Sequence, residues 1–473
     1  MPRETVLEEF KKFSAVPRRS YHCEKAIAYA INWAKDHGFE YIYDDKNGNV
    51  IIRKPAARGC ENKPGIVLQG HLDMVPAQDE GVEHDWENQG LDLIEDGDWL
   101  KAKGTTLGAD DGVALALAFS LFTDDSIKNP PMEILLTTNE EVGMESVKDA
   151  DFSCLKGKYL FNLDSGPEGV FVIGCCGGHT VKARVPNKRE SFKGNPYVLS
   201  ISGLKGGHSG MEIHKERANA INLLGKIFNF LGKKYDYRIS SLTAEGKDNA
   251  ISNSLKCSFI SPASKEEIEK AVEEKTAVIK KIYRLSDPDI SIKAEEGNAS
   301  DALSKESSDM LSFLLLELPF GMLHREQDLS NTETSVNMGV AETAKDAVVI
   351  TISIRSSVDE RADEVVDEIK GLCDICGAQL ELTDKSYPAW LPDYSSPLID
   401  LFKGIYKRMY GKDALVETVH GGLECGYILR RSNLEAAIAM GPTSQGEHTT
   451  SERLSISSLY RTYDFLKEAI EAV

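Results

Sequence analysis

Five short stretches of this chain end in residues that ligate metal ions or move protons. The run GIVLQG is followed by His71, with Asp73 two residues on. MEILLTTN is followed by the adjacent pair Glu140 and Glu141, and KYLFNL by Asp164. TTLGADDG sets Asp110 and Asp111 just before the apolar segment VALALAFSLF. EAAIAMG is followed by PTSQGEHTTSE, which carries His448. Singly, each has an ordinary structural role: a polar turn, a helix N-cap, a solvated pair of acids. Two histidines with three carboxylates, which together they can supply, are the donor set of a two-cation hydrolytic site.

The chemistry of such a site fits the residue types. Two divalent cations held roughly 3.5–4 Å apart need one carboxylate to bridge them. Asp110, in a tight glycine-rich turn, suits that bridge. Water on such cations ionises near neutral pH, and a general base must receive its proton. One glutamate of the Glu140–Glu141 pair can be that base while its neighbour binds metal. Asp73 is placed to accept the second ring N–H of His71 and orient the imidazole. Imidazole and carboxylate donors suit Zn²⁺ and, less strongly, Mn²⁺ or Co²⁺. The only cysteine near these motifs is Cys425, in the separate stretch GGLECG, so a thiolate structural zinc site is not expected.

The elements that must position these residues are also readable. GIVLQG, MEILLTT, KYLFNLD and EAAIAMG are short runs apolar on both faces, as in central strands of a helix-covered sheet. The helix-length apolar segment from Asp111 lies between the first two, which gives an α/β pattern. Ligands bind outside the carboxyl ends of strands in such sheets, and each candidate falls at that edge. YIYDDKNGNVIIRK reads as a hairpin around Asn47-Gly48. The middle of the chain differs. YVLSISGLKG, LKCSFIS and AVVITISIRSS alternate apolar and polar residues, and KEEIEKAVEEKTAVIKKIYR is an exposed amphipathic helix with Glu–Lys pairs. Breaks fall near Cys176-Gly177-Gly178 and Tyr387-Pro388. The expected organisation is an α/β metal-binding domain, 1–177 with 388–473, interrupted by an inserted α+β domain, 178–387, of about 210 residues. Within the insert, the strand–loop–helix units from Val198 and from Ala347 are weakly similar.

Composition narrows the partners. The 473 residues carry 75 acids against 55 bases, a net charge of −20, which argues against nucleic acid and anionic membrane. MPRETVLEEFKKFSAV has no apolar core of a signal peptide, and no uninterrupted apolar run is long enough to span a bilayer. A cytoplasmic location follows as the expectation, with the nine scattered cysteines reduced. Cys373 and Cys376 form a lone C-x-x-C with no second pair, so buried packing is expected there.

HLDMV, GTTLGADDGVALA, TTNEEVGMES, NLDSG, GGHSG, GGLECG and EHTTSERL resemble the aminoacyl-histidine dipeptidases. These are a branch of the co-catalytic zinc exopeptidases that also include carboxypeptidase G, aminoacylase and the carnosinases. The motifs run from about residue 70 to residue 454 in the family's order. The resemblance implies an α/β fold with a mixed central sheet covered by helices and an inserted α+β lid. It implies two divalent cations per chain, one on His71 and Asp164, the other on Glu141 and His448, with Asp110 bridging. Glu140 would be the general base and then the acid, and Asp73 would tune His71. His208 in GLKGGHSG resembles the lid histidine that steadies a tetrahedral oxyanion, and Arg355 in TISIRSSVDE the lid arginine that pairs with a substrate carboxylate. Asn249 would add a polar contact, and Glu424 in GGLECG would meet a free amino group. The role of His179 is left open. The implied substrates are unblocked dipeptides, Xaa-His dipeptides among them, with a related tripeptidase or N-acyl amino acid deacylase as the alternative. Relatives with a shorter lid dimerise and borrow the histidine; the longer insert here suggests that His208 serves its own chain, in a monomer or a homodimer.

Overall fold

The computed structural model describes residues 3–44, 46–326 and 331–473. The chain divides into two compact units. One comprises Met1–Cys175, Trp390–Thr418 and Leu423–Val473, and the other Cys176–Ala389 with Val419–Gly422.

The first unit is built on a mixed eight-stranded sheet. Its centre is four parallel strands, in the order Met132–Thr137, Ile66–His71, Tyr159–Asn162 and Ala436–Ala439. Asn49–Lys54 and Val170–Cys175 flank them antiparallel. Ile66–His71 and Met132–Thr137 are buried at every position, which is why their sequences are apolar on both faces. Glu40–Asp44 pairs with Asn49–Lys54 as a hairpin, and Gly48, at φ +83°, closes the turn by donating to the Asp44 carbonyl. Asp45, within that turn, lies outside the described residues.

Helices cover the sheet. In Ala109–Thr123 every residue from Ala109 to Phe122 except Asp110 is buried, so this helix is apolar all round. Val6, Phe10 and Phe13 of Glu4–Ser14 and Trp33 of Glu24–Asp36 share its core, and Trp33 stacks on Phe119. Phe171, Phe402 and Phe465 pack ring to ring, joining the sheet to the Pro397–Tyr410 and Ile456–Ala472 helices. Each such buried side chain contributes about 1.5–3 kcal/mol. A small antiparallel sheet pairs Arg453–Ser455 with Trp99–Ala102 and with Ser444–Gln445, which pins both ends of the loop that carries His448.

The second unit contains a nine-stranded sheet whose described pairings are all antiparallel. Alternation along its strands puts Leu199 and Ile201, and Val348, Ile350, Ile352 and Ile354, into one core with the helices Ala220–Gly232, Lys265–Ile282, Lys305–Glu317 and Asp359–Cys376. Lys265–Ile282 begins with a capping box between Ser264 and Glu267. Cys373 is buried in this core, and Cys376 donates its S–H to the Cys373 carbonyl, so the C-x-x-C is one turn of a packed helix. All nine cysteines are free thiols.

Gly70 is a tight point at the carboxyl end of Ile66–His71. A Cβ there would lie 2.2 Å from the Ala114 Cβ and 2.3 Å from Asp111 Oδ2. Gly70→Ala therefore has to push the buried helix off the strand. We expect a loss of about 1–3 kcal/mol in unfolding free energy, read from urea denaturation of the metal-free protein. An unchanged midpoint would show that the helix gives way freely.

Candidate metal centre

The carboxyl ends of the three neighbouring strands Met132–Thr137, Ile66–His71 and Tyr159–Asn162 bring the ligand-type residues together. His71, with a fully buried side chain, sets Nε2 3.0 Å from Asp110 Oδ1 and 3.8 Å from Asp164 Oδ2. Asp110 Oδ2 is 3.1 Å from His448 Nε2, and Glu141 Oε2 is 2.9 Å from the same nitrogen. Asp110 thus offers one oxygen to each histidine. Among the described residues, two ligand groups have all their donor atoms within 4.8 Å of one another: His71, Asp110 and Glu141, and His71, Asp111 and Asp164. A cavity of about 310 Å³ opens on the centre, lined among others by Asp110, Asp111, Asp164, Ser165, Ser444 and Glu447.

Local backbone explains how these side chains converge. Gly108 is left-handed at φ +63°, and Asp110 and Asp111 have non-helical φ/ψ, so the regular helix starts after both acids. The Glu452 carboxylate accepts the N–H groups of Leu107, Gly108 and Ala109 at 2.7, 2.9 and 2.8 Å, and that of Asp110 at 3.4 Å. Arg18, 1% exposed, donates to the carbonyls of Leu72, Asp73 and Gly108. These two residues tie the Asp110 turn to the His71 strand end. Asp73 does more than orient His71. Its carboxylate stands 3.4 Å from His71 Nδ1, accepts the Ser20 hydroxyl at 2.8 Å, and accepts the backbone N–H of Glu140 and of Glu141. Asn139, at φ +56°, turns the chain out of the strand just before the two glutamates, and Tyr21 N–H holds its side chain at 2.6 Å.

The electrostatics point to a cation. Asp110, Asp111, Glu140, Glu141 and Asp164 crowd around two imidazoles. Burial pushes Glu140, Asp111 and Asp164 well up, the neighbouring carboxylates adding to it and His71 opposing it. Burial also disfavours the Asp110 carboxylate, yet hydrogen bonds from His448 and His71 hold it below its ordinary range. Hydrogen bonds to Asp110 and Glu141 raise His448 to about 10. Glu141 Oε1 and Asp111 Oδ1 are buried without a hydrogen-bond partner. Unpaired carboxylate oxygens in a buried cluster of net negative charge are what a divalent cation satisfies, and nitrogen and oxygen donors fit zinc and its neighbours.

Beneath this layer lies a second polar one. Gln69, Thr137 and Asn162 stand two or three residues before His71, Glu140 and Asp164 on their strands. Gln69 Nε2 and Thr137 Oγ1 both donate to Glu424 Oε2 at 2.6 Å, and Asn162 donates to Gln69 Oε1. Glu424 is 1% exposed, burial raises it to about 7, and its Oε1 has no partner. A substrate amino group meets that oxygen only by entering this buried layer.

Three sequence candidates lie in the second unit. His208 Nδ1 accepts N–H groups from Gly210 and Met211 at 3.2 and 3.0 Å, which leaves the ring proton on Nε2. Burial and the Arg355 charge lower the pKa of this ring. Arg355 donates to the Tyr387 hydroxyl at 2.9 Å. Asn249 is exposed, and its carbonyl accepts from Ser209 N–H. His179, whose role was open, is 3.4 Å from Asp363. Sequence reasoning missed Arg18 and Glu452, and it read Asp111 only as a possible cap. For Glu452 the available signal was an acid four residues after His448; for Arg18 there was none.

Carboxylates and imidazoles gathered at the strand ends of a mixed α/β sheet define a hydrolase-type metal centre. The chain belongs to peptidase family M20/M25/M40, whose model matches residues 67–472. It is 34% identical over 475 residues, 98% of this chain and 96% of the other, to the cytosol non-specific dipeptidase of Escherichia coli. The solved aminoacylhistidine dipeptidase of Vibrio alginolyticus superposes with a TM-score of 0.91 at 31% identity, over 99% of this chain and 96% of that one. A Bacillus cereus aminopeptidase shares the fold, with a TM-score of 0.62 at 17% identity over 99% of this chain and 98% of that one.

Glu452 gives a direct test of how the centre is held. Removing the carboxylate in Glu452→Ala frees the amides of the Asp110 turn. We expect zinc affinity, measured by competition with a chelator, to fall by about 10–100-fold. An unchanged affinity would mean that the turn holds its shape without that anchor.

Proposed function

We propose that the chain is a metal-dependent dipeptidase that hydrolyses unblocked dipeptides, Xaa-His dipeptides among them. The observation that carries this is the convergence of His71, Asp110, Glu141, Asp164 and His448, in a chain so similar along its length to the two dipeptidases. One cation would be held by His71 and Asp164, the second by Glu141 and His448, with Asp110 between them. Zinc suits this donor set best, cobalt and manganese next. Such cations, when bound, polarise the scissile carbonyl and make water acidic near neutral pH.

The protein groups then divide the work. Glu140 takes the proton of the attacking water on its carboxylate and delivers it to the nitrogen of the departing amine. Asp73 fixes the His71 ring and, through the two backbone N–H groups it accepts, the loop bearing both glutamates. His208 donates Nε2–H to the oxyanion that develops on the carbonyl oxygen, in the tautomer that its Nδ1 contacts select. Arg355 pairs with the substrate carboxylate, and Asn249 adds a polar contact. Glu424 offers Oε1 to the free amino group. His208 serves its own chain, and a cytoplasmic location agrees with the name of the Escherichia coli relative.

Glu140→Ala should bind as much zinc as the wild type and lose about 10²–10⁴-fold in turnover. Glu141→Ala should lose zinc. Metal content measured beside hydrolysis of a dipeptide, tripeptide and N-acetyl amino acid panel decides the matter. Equal zinc in both variants would refute the division between the glutamates. Faster cleavage of tripeptides or acetylated amino acids would move the substrate class.

A further inference from the structure

Arg355 is one member of a register row that crosses four neighbouring strands of the second unit. Ser335 is paired with Arg355, Arg355 with Gly178, and Gly178 with Tyr387. Direct partners in antiparallel strands present their side chains on the same face, about 4.5–5.5 Å apart. Gly178 leaves a gap in this row, and the Tyr387 ring fills it. A Cβ on Gly178 would lie 2.7 Å from two ring atoms and 2.8 Å from the hydroxyl. Lying there, the ring brings its hydroxyl to 2.9 Å from Arg355 Nη1. On the other side of Arg355, the Ser335 hydroxyl is 2.7 Å from His420 Nε2. Cys176 Sγ is the remaining neighbour, 4.0 Å from Nη1.

Every group that contacts the guanidinium is neutral; the Asp248 carboxylate acts on it at longer range and is itself paired with Lys385 at 2.7 Å. Burial, followed by the charge of Arg355, lowers His420 to about 3, so the ring is uncharged through the physiological range. Burial raises the Cys176 thiol, against the pull of Arg355. Among the described residues no carboxylate comes within ion-pair distance of Arg355, and its Nε is buried without a partner, as is His420 Nδ1. A half-buried guanidinium that the fold orients but does not neutralise is waiting for an anion.

We propose that this row sets the enzyme's specificity for a free carboxyl terminus: Tyr387 is the positioning residue of Arg355, and the neutral set of Ser335, His420 and Cys176 keeps its charge free for the substrate. This rests on the dipeptidase reading and on Arg355 as the group that meets the substrate carboxylate. It adds the reason why that arginine has no resident counter-ion. The discriminating ligands are a dipeptide and its C-terminal amide, which differ in that one charge. Tyr387→Phe keeps the ring over Gly178 and removes only the hydroxyl. Ser335→Asp places a carboxylate opposite Arg355 in the ladder.

The experiment measures kcat and KM for alanyl-histidine and alanyl-histidinamide in the zinc-loaded wild type and both variants. Wild type should prefer the acid. Tyr387→Phe should raise KM for the acid about tenfold, with kcat and all constants for the amide unchanged. Ser335→Asp should lower kcat/KM for the acid roughly a hundredfold and spare the amide, so that the preference collapses. Should Ser335→Asp fail to fold, Tyr387→Phe carries the test alone. Parallel losses on acid and amide would mean a structural role and overturn the proposal. So would a wild type that cleaves both equally well, with the dipeptidase reading intact. Cleavage of neither by the wild type would sink the reading and this role together.

Discussion

Uncompensated negative charge at the ends of the parallel strands is the constraint around which the first unit is arranged. Five carboxylates meet two imidazoles in a buried space, and at least two carboxylate oxygens there find no protein donor. Such a cluster is unfavourable in a low-dielectric interior unless something holds the groups in place and a cation completes them. The holding is done by groups that leave the ligand oxygens alone. Glu452 grips backbone N–H groups, and Arg18 grips backbone carbonyls. Arg18 is a buried cation beside the centre, yet its Nη groups donate to peptide oxygens. The ligand carboxylates therefore stay free for metal.

Asp73 shows how one carboxylate links separate parts of the chemistry. It faces the back of His71 and at the same time accepts the N–H groups of Glu140 and Glu141. A displacement of Asp73 would shift a ligand, the base and a second ligand together. Its own surroundings are polar but fully buried, and Ser20 supplies a further donor. Below it, the layer of Gln69, Thr137, Asn162 and Glu424 continues the hydrogen bonding down the strands. The parallel strands Ile66–His71 and Met132–Thr137 thus carry polar side chains toward the ends where the ligand-type residues lie, with Glu133 near the opposite end paired to Arg53.

The mixed sheet and the strand-end position of the ligand-type residues were legible because both rest on local pattern. Apolar runs bounded by Gly, Pro, Asp or His mark strands covered on both faces, and the next residues must lie on the rim. What was not legible depends on approaches between distant segments. The Glu452 hydrogen bonds span 342 to 345 residues, and the Arg18 bond to Gly108 spans 90. Nothing in the chemistry of an isolated Arg or Glu announces that it will bind backbone rather than solvent. Asp111 was legible only as a helix-start acid. Its carboxylate accepts the His71 backbone N–H because Gly70 lets helix and strand approach closely. The spacing of Tyr387 from Arg355 likewise carries no signal; their contact needs two strand pairings and a glycine between them.

The two units express one principle with opposite signs. In the first, the fold fixes a set of anions and withholds the cations that would neutralise them. In the second, it fixes a guanidinium by neutral groups and withholds an anion. Both arrangements cost stability in the free protein, since desolvated charges without partners are unfavourable. In each, a ligand of the opposite charge would offset that cost. A free dipeptide carries a terminal carboxylate and, at the scissile bond, a carbonyl that becomes negative in the transition state. In the proposed reading, the guanidinium would select the free acid over its amide by charge.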